Sequence, residues 1–337
     1  MIRTTVVGSW PPEDRFRGAL AHYLRGTLTA GDHEQLLCDV AEVAIQQQKA
    51  CGLDEYTGGE TSADSFILHF PKYLTGIEPT ANTDAWDGRG DYRIVGVLDA
   101  PAGLGLAAAF RREKRIDPAL AKVTIPGPSE IMMMIGPADR RRAAWPRAIE
   151  LIRREIAACI DAGAQDVQLD LPHVAMGVAD GWWSGDPEET IRAIFHGITG
   201  VRRSVHFCYG DFQAKTWTQN RHFQPLLSLI QQLGGVVDRT VDRVVLEFSL
   251  PEQWAQRSLL GQIPASMEVA VGIVDVKSPV VESVDELVVK IRELLTYVPA
   301  ARLLICPSCG FGRRNAELAM GKAMAMVQAV QRVNEGL

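Results

Sequence analysis

Eight short β-rich runs, set between longer amphipathic stretches, limit more than any other feature what this chain can fold into. The runs are TTVVGS (4–9), DEYTGG (54–59), AKVTIPG (121–127), DVQLDL (166–171), SVHFCYG (204–210), DRVVLEF (242–248), MEVAVGIVD (267–275) and ARLLICPSCG (301–310). Apolar residues at helical spacing fill 32–51, 138–163, 187–199, 222–233, 251–260, 284–297 and 313–335. Strands that alternate with helices pair in parallel, and eight such units point to a closed (β/α)8 TIM barrel more than to an open sheet. No internal repeat, low-complexity tract or Gly/Ser linker divides the chain, so one barrel domain over 1–337 is expected.

One run is surplus to the count. DYRIVGVLD (91–99) falls between the second and third strands, so residues 61–120 are expected to form an excursion carrying a hairpin or irregular extension. Connections of that length are usually functional. Within it, GLAAAFRREK (105–114) has weak helical spacing and supplies the barrel's second helix or part of it.

The formal charge of −6 leaves no global basic field for nucleic acid or an anionic membrane surface. The local runs FRREKR (110–115) and DRRRAAWPR (139–147) read as solvated helix faces. No segment reaches the roughly 18–20 uninterrupted apolar residues of a membrane helix. The start, MIRTTVVGSW, turns polar too soon for a signal peptide, and a cytoplasmic protein is expected. Cysteines 38, 51, 159, 208, 306 and 309 are therefore expected to bind metal or pack the core rather than form disulfides. The first three sit among Ala, Leu and Ile and read as core.

In barrels of this kind the chemistry lies at the C-terminal ends of the strands. Ser9, Glu60, Asp170, His206, Cys208, Glu247, Asp275, Lys277 and Cys309 all fall at expected strand ends. His206 and Cys208 are two apart in a strand and so share a face, which alone fits either a metal site or two packed core residues. With Glu247 and Cys309 they make a nitrogen, two thiolates and a carboxylate that could reach the ~2.0–2.3 Å bond lengths of tetrahedral zinc. The soft thiolates argue against magnesium or calcium. Cys306 and Cys309 also form a CxxC, but no second CxxC completes a structural zinc knot, and Cys306 lies in the apolar run LLIC.

Ordered motifs then bring a family into view. TTVVGSWPP, GLDEYTGGE (52–60), TIPGP (124–128), VQLDLP (167–172), HFC (206–208), LEFS (246–249), VGIVDVKSP (271–279) and CPSCGFGRR (306–314) resemble, in order, the catalytic C-terminal barrel of cobalamin-independent methionine synthase. The resemblance covers most of the chain and marks it as a single-barrel member. It implies that His206, Cys208, Glu247 and Cys309 are zinc ligands. It also implies that the backbone of Val7, Gly8 and Ser9, with the Ser9 hydroxyl, holds the carboxylate of homocysteine, while Glu60 and Asp170 hold its amino group. Zinc would deprotonate the thiol, which would attack a methyl group and form a thioether.

Two positions depart from the pattern. Where the family carries a tryptophan that stacks on the folate pterin, ungapped counting from Gly127 reaches Met134 in EIMMMIGP, where Met132 to Met134 read as core or pocket lining. Where the family carries a proton-donating histidine, this chain has Lys277, either a weaker acid or a cation pairing with Asp275 or a substrate anion. Lys277 and Asp275 are the expected catalytic pair. The zinc and thiol half of the site is thus present and the donor half altered, with methyltetrahydrofolate or a methylcobalamin-bearing corrinoid protein as the methyl source.

Two other readings stand beside this one. A related zinc barrel could transfer another thiol such as coenzyme M, though Glu60 and Asp170 favour an amino-acid thiol. A non-catalytic barrel could hold a structural zinc or none. His173 reads as a loop or supporting histidine. DGWWSGDP (180–187) and RHFQPLL (221–227) offer aromatics for loop packing or a partner, and Trp182 and Trp183 could replace the pterin platform.

Overall fold

Parallel strands running in one direction from β-rich, Val- and Ile-dominated segments make the central sheet. The computed structural model describes the chain apart from residues 25–26, 62–68, 81–90, 134, 137, 182–184, 212–214, 217 and 236–237. Its strands are β1 (Arg3–Thr4), β2 (Thr75–Pro79), β3 (Tyr92–Asp99), β4 (Lys122–Pro126), β5 (Ile135–Gly136), β6 (Asp166–Asp170), β7 (Arg202–Phe207), β8 (Arg243–Glu247), β9 (Glu268–Val274) and β10 (Leu303–Pro307). Seven of them pair in parallel in the order β1-β10-β9-β8-β7-β6-β4. β4, β6, β8 and β10 are buried along their whole length, as strands covered by helices on one side and by the barrel interior on the other must be.

The fold is the expected (β/α)8 barrel, but the second strand position is not a regular strand. Residues 54–60 join the sheet through one parallel bridge, Thr5 with Glu55, supported by Asp54 Oδ2, which accepts from the amide (2.7 Å) and hydroxyl (2.8 Å) of Thr4. The ladder does not extend past this bridge, and at Gly59 and Glu60 the chain takes left-handed backbone, φ 82° and 56°. Such geometry turns the chain out of any ladder. On the far side the segment touches β4 through Thr124, whose hydroxyl donates to Glu60 Oε1 at 2.7 Å.

The excursion contains the expected hairpin. β2 and β3 pair antiparallel from Thr75 opposite Asp99 to Pro79 opposite Tyr92, and β5 adds in parallel to β3. Arg147 of the helix Ala138–Asp161 ties the hairpin down, donating to Leu98 O (2.9 Å) and pairing with Asp99. The helix Leu106–Ile116 follows; Gly105 offers it no side-chain cap, and Glu155 instead accepts from the amides of Leu104 and Ala107, both at 2.7 Å. In this helix the run 110–115 is not uniformly solvated. Arg112 and Glu113 are buried, and Arg112 pairs with Glu34 at 2.9 Å. The amphipathic stretch at 251–260 divides into a short α-helix, Pro251–Trp254, and a 3-10 turn, Arg257–Gln262.

Charged residues that open the strands meet inside the N-terminal end of the barrel. Arg243, fully buried, bonds Glu55 (2.9 Å), Asp166 (3.0 Å) and Glu268 (2.8 Å), and Arg3 and Arg202 reach the same carboxylates. A fully buried guanidinium is tolerated because its fork geometry satisfies several carboxylates at once. This ionic layer occupies the N-terminal end of the barrel, while His206, Glu247 and Asp170 lie at the C-terminal ends of their strands. Among the described residues, no helix is long and apolar enough to cross a membrane.

Candidate active site

β7 carries His206 to the barrel mouth, and Cys208 follows one residue beyond the strand's end; both are 2% exposed. Cys309 comes from the loop two residues past β10. Ligand atoms of the three residues lie within 4.8 Å of one another. The two Sγ atoms are 3.8 Å apart, and both cysteines are free thiols. Two sulfurs each about 2.3 Å from a tetrahedral metal would be separated by about 3.8 Å, so the spacing fits a zinc-sized ion. His206 Nδ1 lies 3.3 Å from Val245 O, while its buried Nε2 has no hydrogen-bond partner among the described residues. A ring held through one nitrogen with the other left bare is the arrangement of an imidazole ligand.

The electrostatics agree with that chemistry. A hydrogen bond from Cys208 holds the Cys309 thiol well below its usual range against the cost of burial, with His206 and Lys277 assisting, and Cys208 is driven upward in return. Burial disfavours the His206 cation, but Cys309 and Asp170 outweigh it and raise its pKa.

Glu247 ends β8 beside this cluster but lies outside the three-residue group. Its Oε1 accepts from Lys277 Nζ at 2.8 Å and its Oε2 from the amide of Tyr209 at 2.9 Å. The Lys277 ammonium therefore reaches Glu247 rather than Asp275. Burial would lower the Lys277 pKa, yet the charges of Glu247 and Cys309 raise it, which suits a fixed cation better than a proton donor. Asp275 shapes the turn, its Oδ1 accepting from the Lys277 amide at 2.9 Å.

Across the mouth stands a second polar group. Asp170 ends β6, is buried, and accepts from Gln168 Nε2 at 2.7 Å; burial and the nearby Glu60 charge push it to about 7, although His206 opposes them. Glu60 is likewise raised, first by desolvation, with the Thr124 hydrogen bond opposing. Gly8 makes room for it, since a Cβ there would lie 2.1 Å from Glu60 Oε1. The Val7 and Gly8 carbonyls are occupied, accepting from Gln168 Nε2 (2.8 Å) and Thr57 Oγ1 (2.5 Å). Ser9 is held by the cysteine loop: its hydroxyl accepts from Gly312 N (3.2 Å) and its carbonyl from Phe311 N (2.9 Å).

Met134, Trp182 and Trp183 lie outside the described residues, whereas Met132 packs in the main hydrophobic core. Phe223 of RHFQPLL is not displayed for a partner; it is buried edge-on against Phe248, with ring centres 5.2 Å apart. His173 is positioned by the fully buried Glu130, whose Oε1 lies 2.9 Å from Nδ1 and accepts from the His173 amide. Three supporting residues escaped sequence reasoning: Gln168, Thr124 and Tyr209. The first two had a usable signal, being polar residues inside otherwise apolar strand runs; Tyr209 acts through its backbone and had none.

The family profile described as the catalytic domain of cobalamin-independent synthase matches residues 2–332. A methionine synthase of Saccharolobus solfataricus is 24% identical over 346 residues, covering 100% of this chain and 96% of that protein. Among solved structures, a B12-independent methionine synthase from a Shewanella species, in complex with selenomethionine, superposes with a TM-score of 0.80 at 19% identity, covering 100% of this chain and 98% of that one. A methyltransferase from Methanosarcina mazei has a TM-score of 0.60 at 14% identity, covering 99% and 94%.

Proposed function

The chain belongs to the cobalamin-independent methionine synthase family, and from that membership we propose that it is a zinc-dependent methyltransferase converting homocysteine to methionine. One observation carries the reading to this substrate: two carboxyls, Glu60 and Asp170, stand near the His206, Cys208 and Cys309 cluster with neutral donors on them, Thr124 and Gln168, and both are raised by desolvation, Glu60 further by the Cys309 charge and Asp170 by that of Glu60. An amino-acid thiol supplies the missing ammonium and places its sulfur toward the cysteines.

His206, Cys208 and Cys309 would hold the zinc, with Glu247 beside them. When bound, zinc supplies the positive charge that lets a substrate thiol ionise at neutral pH. Glu60 and Asp170 bind the ammonium by charge-assisted hydrogen bonds, and the Val7 to Ser9 turn receives the carboxylate. The substrate sulfur attacks the donor's methyl carbon, the bond from that carbon to the donor breaks, and the donor keeps the electron pair. A folate nitrogen would also need a proton, whereas a corrinoid cobalt would not. Lys277, committed to Glu247, is a poor proton source, and this favours a methylcorrinoid over a folate.

The test is to measure bound zinc, titrate homocysteine and coenzyme M while recording proton release, and assay methionine formation from methyltetrahydrofolate and from methylcobalamin. Homocysteine binding with methionine formed from either donor supports the proposal. Coenzyme M binding where homocysteine does not, or no methionine from either donor, overturns it.

A further inference from the structure

We propose that the N-terminal end of the barrel, opposite the candidate active site, carries a second ligand site that takes a free α-amino acid as its zwitterion. The inference does not depend on the zinc and thiol reading above.

Topology is the first argument. The parallel sheet ends at β1 and at β4, and the segment that stands between these two strands reaches β1 through the Thr5–Glu55 bridge. Among the described residues no ladder joins residues 54–56 to β4. A gap is left where a regular strand would have packed. It forms a cavity of about 410 Å³ at the end where β4, β6 and β7 begin, bordered by Asp54 to Tyr56, by Ala119, Ala121 and Lys122, and by the residues that lead into β6 and β7. Sites for small molecules span about 300–1,000 Å³.

The second argument is charge. On the cavity wall Lys122 and Arg202 are cations, while Asp54, Glu55 and Asp166 are anions. Arg243, which pairs with both Glu55 and Asp166, evens the count. A ligand with a net charge would leave an uncompensated charge in this partly desolvated place, whereas one that brings a charge of each sign does not.

Unused hydrogen-bonding capacity is the third argument. Asp54 Oδ2 accepts from the amide and hydroxyl of Thr4, while Oδ1 has no hydrogen-bond partner among the described residues. Arg202 turns Nη1 toward Asp166 and Nε toward Glu268, and its Nη2 makes no hydrogen bond among the described residues. An anionic acceptor and a cationic donor with spare capacity on one cavity suit the ammonium and carboxylate of one small molecule. The exposed Gln165 amide adds a neutral donor and acceptor to the same wall. Ala119, Ala121 and Val201 supply apolar wall for a short aliphatic side chain.

The experiment titrates the full-length protein with L-valine by calorimetry, beside isobutylamine and isobutyrate, each of which carries one of its two charges. One site per chain is expected, with L-valine bound at least tenfold tighter than either analogue. Asp54→Asn keeps an acceptor for Thr4 but removes the charge, and should weaken L-valine binding about tenfold or more. Gln165→Trp and Ala119→Phe fill the cavity from exposed positions on two of its walls, so each should keep the circular dichroism of wild type and lose the binding. Asp170→Asn, at the opposite end of the barrel, should leave L-valine binding unchanged. No binding at millimolar L-valine, equal binding of an analogue with one charge, binding that survives both filling variants, or binding lost in Asp170→Asn overturns the inference.

Discussion

The Sγ atoms of Cys208 and Cys309 lie 3.8 Å apart although 101 positions separate the residues. Only closure of the barrel brings the ends of β7 and β10 to one place. Cys208→Ser and Cys309→Ser should each lower zinc affinity by about 10–100-fold and leave the fold intact, because the site lies beyond the strand ends. Zinc stoichiometry after dialysis, with circular dichroism as the control, checks this.

Gly8 allows the close approach of Glu60. In Gly8→Ala the new methyl would stand 2.1 Å from Glu60 Oε1 and 3.0 Å from Thr124 Cγ2. The carboxyl must swing away, so homocysteine affinity should fall about tenfold or more, as for loss of one charge-assisted hydrogen bond. Zinc content should not change. Isothermal titration with homocysteine, alongside metal analysis, separates the two effects.

Asp170→Asn keeps the shape and the Gln168 contact but removes the charge offered to an ammonium. A loss of about 1.5–3 kcal/mol, or roughly 10–100-fold, is expected in kcat/KM. It should appear chiefly in KM and be absent for a thiol that lacks an amino group. Comparing homocysteine with 3-mercaptopropionate as acceptor is the measurement.

Arg243 gathers Glu55, Asp166 and Glu268 at the barrel floor. Arg243→Met removes the buried guanidinium from three carboxylates, leaving them only the part-exposed Arg3 and Arg202, and should cost about 3–5 kcal/mol in urea unfolding. Burial alone would raise the Glu55 pKa, but the Arg243 hydrogen bond and charge lower it from 4.5 to about 2. A depressed carboxylate contributes stability that is complete above its unfolded value and is lost as pH falls from 4.5 toward 2, here of order 3 kcal/mol. Unfolding free energy measured across pH 2–6 should show this loss in wild type and a much smaller one in the variant.

Most of the barrel was legible because its parallel strands are continuous apolar runs bounded by turn residues, and β6, β8 and β9 begin and end within a residue or two of the runs that announced them. The segment 54–59 was not legible as an irregular one, because Tyr56 and Thr57 suit a strand and nothing local reveals that Glu60 will take positive φ. His206 and Cys208 were found by their spacing of two. The partner of Lys277 was hidden, since sequence offers Asp275 two positions away while the barrel delivers Glu247 from the neighbouring strand end. The ionic floor had left a trace, a charged residue opening each of β4, β6, β7, β8 and β9, but a list of charges does not say which of them point inward.

The pairing of β9 with β10 slips by one position, Cys306 lying opposite Gly272 but Pro307 opposite Val274. Gly272 permits the crowding, because a Cβ there would come within 2.9 Å of Pro307 O, Ser308 Cα and Leu246 O. The arrival of Cys309 at the mouth is thus a matter of phase. Deleting one residue between Leu303 and Cys309 would change the composition hardly at all, yet it would turn the thiol toward the opposite side of the sheet. The stretch from Leu303 to Cys309 is therefore one whose length is held fixed during divergence, whatever residues come to occupy it.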